Sequence, residues 1–230
     1  MQQFPAGAIA GRPRFRRAIV AYASPIAVFA ALTLIEPQLP AAQYPPFYLL
    51  KMLAVTGVLL LFPQPLADLR PSSGHLPLGI VVGLVVAGEW VLVETMVPYP
   101  HLDARLAFDP FLTIESDFQR WTFLAGRLCG LVLVVPLMEE LFWRSFLLRY
   151  ATRADFTSLA MGQFSAGAFW TVVAISAAAH PEWLAAAIAS ALFTWLLRHT
   201  RNLVTVIVAH AAANATLGCY ILAAGQWQFW

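Results

Sequence analysis

Two carboxylates stand side by side at Glu139 and Glu140, shortly before Arg144, inside the apolar run 131–148. Each charge at the centre of a membrane helix costs about 2.5–3.5 kcal/mol on insertion scales. Three of them so close together call for partners or for a use. Neighbouring helical residues point about 100° apart, so the two glutamates cannot share one role. Glu140 and Arg144 are spaced i, i+4 in the favourable acid-before-base order and share a face. That pair can neutralise itself, and a buried structural brace is one reading of it. Glu139 points elsewhere without a local partner. An unpaired carboxylate suits a general base wherever water can reach it. Pro136 lacks a backbone N–H, which frees the carbonyl four residues earlier and allows a kink beside the carboxylates.

Further chemistry-bearing groups are few. His75, His101 and His199 fall in or beside loops. His180 closes an apolar stretch as Ser176-Ala177-Ala178-Ala179-His180. His210 and Asn214 are spaced i, i+4 with only alanines between, so one helical face presents an imidazole and an amide with room before them. Two such donors can serve a developing oxyanion. Two histidines and a glutamate could alternatively ligate zinc, and the set would be Glu139, His180 and His210.

The elements that must position these groups are membrane helices. The chain has 230 residues, 60% hydrophobic and 11% charged, with a mean hydropathy of +0.70. A soluble domain carries about 25% charged residues. The fold class expected is therefore all-α, a polytopic transmembrane helix bundle of about seven spans: 18–35, 47–62, 78–97, 127–148, 156–180, 183–197 and 203–222. The first could instead be a signal peptide cleaved near Ala41-Ala42. Lys51 is placed to snorkel from the second span. Gly79 with Gly83, and Gly126 with Gly130, are spaced for close helix contact. Glu89, near mid-span, needs a partner such as Arg127 or a place in a cavity. Cys129 and Cys219 read as small apolar packing residues. Residues 98–121 form the longest polar segment, and 223–230 read as an interfacial aromatic tail. Arg12, Arg14, Arg16 and Arg17, then Arg70, then Arg149 and Arg153, then Arg198 and Arg201 fall on alternate sides. The positive-inside rule then sets the N-terminus in the cytoplasm. All but one of the 14 basic residues are arginine, which with abundant alanine hints at a bacterial inner membrane protein.

One distance resists. A fifth span over 156–180 puts His180 about 12 residues beyond its centre, roughly 18 Å at the helical rise, too far to join Glu139 and His210. The expectation is that this helix starts later, near Phe164, with 155–163 at the membrane surface and His180 drawn inward.

Glu139-Glu140-x-x-x-Arg144, then His180 closing a helix, then His210-x-x-x-Asn214, in that order, resembles the CPBP family of CAAX prenyl and bacteriocin-processing intramembrane proteases. The basic stretch Arg198-His199-Thr200-Arg201-Asn202 also resembles the turn before the family's last histidine. The likeness spans 128–222, which divides the chain into an N-terminal three-span region (1–127), a catalytic core (128–222) and the tail (223–230). One departure stands out: the family has Phe four residues before the middle histidine, and here it is Ser176. The resemblance implies a helix bundle around a water-accessible intramembrane cavity. It implies that Glu139 activates water with help from His180, that His210 and Asn214 form the oxyanion site, and that Glu140 with Arg144 supports the first carboxylate. The substrate implied is a membrane-associated or lipidated peptide or protein at the lipid bilayer. No nucleic acid is expected, and no cofactor, with zinc the less favoured alternative. Two rivals share the composition: a non-catalytic partner-binding or immunity protein, and a proton-coupled transporter.

Overall fold

The computed structural model describes residues 13–71, 73–102 and 107–229. Arg12, Asp103, Arg105 and Trp230 lie outside them, as does the side chain of Arg14. All regular secondary structure among the described residues is helical, with no strand. The main helices are α1 (Pro13–Thr33), α2 (Tyr44–Leu61), α3 (Leu76–Met96), α4 (Asp117–Thr152), α5 (Ala166–Ala178), α6 (Trp183–Thr200) and α7 (Leu203–Ala224). Five apolar stretches, with α1, α2, α3, α4 and α7, are long enough to cross a membrane. They fit an integral membrane protein and the polytopic bundle expected.

The fifth expected span is corrected in length. Ser165 caps α5 by accepting from the Ala168 N–H, and Gly162, in the left-handed region at φ +79, breaks the chain before it. Only 13 residues remain helical, about 20 Å of rise against a hydrocarbon core of about 30 Å. The fourth helix is corrected in the other direction. It starts at Asp117, inside the segment read as a polar loop, because the Ser116 hydroxyl accepts from the Gln119 N–H and caps it.

α7 lies closest along α3. A Cβ on Gly79 would sit 2.7 Å from the Thr205 carbonyl oxygen, and one on Gly83 would fall on the Ala209 carbonyl and within 2.8 Å of the Ala212 methyl. These glycines let the two backbones touch beside His210. Gly83→Ala is expected to push the helices apart at about 1–3 kcal/mol, read as a lowered melting temperature in detergent. Gly126 and Gly130 instead make room for side chains of α2, Leu49 at the first and Tyr48 with Met52 at the second.

Three further expectations change. Lys51 does not snorkel. It is buried, pairs with Glu36 at 2.7 Å, donates to the Thr33 hydroxyl at 3.2 Å and lies over the Phe29 ring. An acid in the 3₁₀ turn after α1 supplies the counter-charge that the interface would otherwise provide. Cys129 and Cys219 are exposed rather than packed, because their positions face outward from the bundle. The tail folds back: Trp227–Phe229 forms a 3₁₀ turn, and Phe229 is buried beside Leu124 and Ile221.

Candidate active site

The helices surround an open cavity of about 50 Å³. Glu139 and Arg144 face it from α4, Ser176 from α5, His180 from the turn after α5, Ser190 and Phe193 from α6, and His210 and Asn214 from α7. Val86, Ala87 and Trp90 of α3 complete the wall.

α4 is not a uniform α-helix. It widens to π-helix over Gly130–Val134 and again over Leu141–Leu147, on either side of the α-helical stretch Val135–Glu140 that carries both glutamates. The Val135 N–H bonds five residues back, to the Gly130 carbonyl. In that register the next donor would be residue 136, which is proline and has none. The carbonyl set free is thus that of Leu131, one residue earlier than an α-helical register gives. The amide nitrogen of Asn214 occupies it at 2.8 Å. A sequence-encoded defect in α4 thereby docks α7 and orients Asn214. The amide keeps its second N–H.

Glu140 is fully buried. Its Oε1 accepts from the Arg144 guanidinium at 3.2 Å and meets His210 Nδ1 at 2.9 Å. Arg144 continues to the carbonyl and hydroxyl of Ser190, both at 3.2 Å. Phe193 lies under both partners of Glu140, stacked on the His210 ring at 5.2 Å and 5.5 Å from the Arg144 guanidinium. The brace read from sequence as a pair is therefore a triad that holds His210. Ser190 and Phe193 were not singled out in the sequence. Their signal is faint: a hydroxyl and an aromatic one turn apart in an alanine-rich helix.

Glu139 differs on every count. It is half-buried, and it makes no hydrogen bond or ion pair among the described residues. Its carboxylate is an uncommitted acceptor at the cavity. His180 Nδ1 lies 2.8 Å from the Ser176 carbonyl oxygen. A carbonyl can only accept, so Nδ1 carries the proton, and Nε2 of the neutral ring is left as an acceptor. Aromatic backing for His180 comes from another helix: the Trp90 indole meets its ring edge-on at 6.1 Å.

The start of α5 at Ala166 brings His180 to the end of a short helix and into the same cavity as Glu139 and His210. Glu89 takes neither place considered for it. It does not line the cavity, and both its oxygens are buried without a hydrogen bond, while Arg127 donates to the Tyr44 hydroxyl. Among the described residues no three His, Cys, Asp or Glu side chains are gathered to hold a metal ion. Glu139, His180 and His210 share a cavity without forming such a set.

No curated protein and no solved structure matches the chain. Residues 121–216 match the family Rce1-like, described as type II CAAX prenyl endopeptidase Rce1-like. The matched segment carries Glu139, Glu140, Arg144, His180, His210 and Asn214, and the match supports the CPBP/CAAX protease family.

Proposed function

We propose that the chain is an intramembrane endopeptidase that hydrolyses a peptide bond of a membrane-associated or lipidated protein or peptide with water activated by Glu139. One observation carries the reading: of two adjacent glutamates, Glu140 is committed to Arg144 and His210, and Glu139 is left free at the cavity. Glu139 takes a proton from water, which His180 helps to orient by accepting at Nε2. The hydroxide attacks the scissile carbonyl carbon. The oxyanion is met by the second N–H of Asn214 and, when the His210 ring carries both protons, by its Nε2–H. The tetrahedral intermediate collapses, the C–N bond breaks, and Glu139 returns its proton to the leaving amine.

The test is cleavage of membrane-anchored peptides, prenylated and unprenylated, by the purified protein in nanodiscs. Hydrolysis in ¹⁸O-water should label the new carboxylate. Asn214→Ala is expected to lower kcat by about 10²–10³, the usual loss for one oxyanion donor. Cleavage that survives His210→Ala undiminished would remove the mechanism.

A further inference from the structure

His180 stands beyond the last regular turn of α5. Its own backbone N–H reaches the Ala177 carbonyl at 3.0 Å, and its Nδ1 reaches that of Ser176. Both contacts are local, and the turn at 179–182 that carries it could swing unless something outside α5 holds it. That support comes from α3. Trp90 places its indole edge on the His180 ring at 6.1 Å and 73°. Glu94, one turn later on the same face of α3, has a side chain only 8% exposed. It accepts from the Tyr99 hydroxyl and meets His101 Nε2 at 2.8 Å. Burial, then the hydrogen bond to Glu94, pushes the Tyr99 phenol up from its ordinary range, which keeps it a donor. These bonds fix residues 98–102 as a strap against the end of α3.

The strap in turn grips both sides of the His180 turn. The Leu102 N–H donates to the Pro181 carbonyl at 3.1 Å. The Trp183 indole N–H donates to the Pro100 carbonyl at 2.8 Å, and the Tyr99 ring meets Trp183 edge-on at 5.6 Å. Trp90, Glu94 and the strap all precede the matched segment 121–216.

We infer that α3 positions His180 through two residues one helical turn apart: Trp90 by direct contact, and Glu94 through the strap at 98–102 that holds Pro181 and Trp183. The kinetic consequence rests on the peptidase reading; the placement of the turn does not. A misplacement of about 1 Å in a reacting group can cost up to 10²-fold in rate. A carboxylate at the rim of the bundle thus reaches a group in the cavity with no contact to substrate.

The experiment compares the full chain in nanodiscs with Trp90→Ala, Trp90→Phe, Glu94→Ala and the control Thr95→Ala, an exposed neighbour whose hydroxyl bonds only within α3. Amide hydrogen exchange is expected to quicken about tenfold at 98–102 and 179–183 in Glu94→Ala, and to stay unchanged in α7 around His210. In peptide cleavage, Trp90→Ala and Glu94→Ala should lose kcat about 10- to 100-fold with KM unchanged. Trp90→Phe, which keeps an aromatic edge, should recover most of it. Unchanged exchange at 179–183 in Glu94→Ala overturns the inference. So does a rise in exchange throughout the molecule, which would make Glu94 a general stabiliser. A wild-type protein that cleaves no peptide overturns the peptidase reading alone, and the exchange comparison then decides the placement of the turn.

Discussion

Glu139→Gln should lower peptide cleavage by about 10²–10⁴, the range general-base catalysis supplies, while the melting temperature stays at the wild-type value. The amide is nearly isosteric and keeps an oxygen toward the cavity, but it cannot take a proton from water. Glu139 has no hydrogen-bond partner to strand among the described residues, so the substitution leaves no buried group unpaired. The measurement pairs initial rates on one peptide with thermal unfolding in detergent. A variant that cleaves at the wild-type rate would remove Glu139 from the reaction. Loss of rate accompanied by unfolding would show that the side chain holds the bundle, contrary to its half-buried, unbonded state.

The division of labour between Glu139 and Glu140 was legible in the sequence, because adjacent helical positions diverge and only one had a basic residue four places on. That logic is local to one helix. The bond from Glu140 to His210 was not legible, since it depends on how α4 and α7 register against each other across 70 residues. The partner of Asn214 was half legible. Pro136 announced a free carbonyl, but the π-helical turn before it shifts that carbonyl by one residue, and nothing in the local sequence fixes a π register. The bundle itself was plain from composition. The length of α5 was misread because Phe156, Leu159, Met161 and Phe164 extend the apolar character ahead of the helix and hide the Ser165 cap and the backbone break at Gly162. The distance argument for His180 corrected the start of that helix to within two residues, Phe164 against Ala166. Geometry demanded by the chemistry was a better guide there than hydropathy. Trp90 and the strap were invisible, because they lie outside every motif and join through space.

The second large effect concerns Arg144. Its side chain is 2% exposed and Glu140 is fully buried. Arg144→Met alone leaves a carboxylate in the core with only His210 beside it. Breaking a buried pair from one side costs about 3–5 kcal/mol. The same substitution combined with Glu140→Gln removes both charges, and neutral replacement of a buried pair is often close to neutral for stability. The single variant is therefore expected to melt well below the wild type, and the double variant to recover most of the loss. Activity should not follow stability. Without the Glu140 carboxylate, Nδ1 of His210 loses the partner that orients the ring toward an oxyanion. The double variant should fold and still cleave at least about 10²-fold more slowly, the loss of one oxyanion donor. A double variant with wild-type activity would reduce the triad to a brace and leave the oxyanion to Asn214 alone. A double variant as unstable as the single would mean that the Arg144 bonds to Ser190, rather than charge balance, hold α4 to α6.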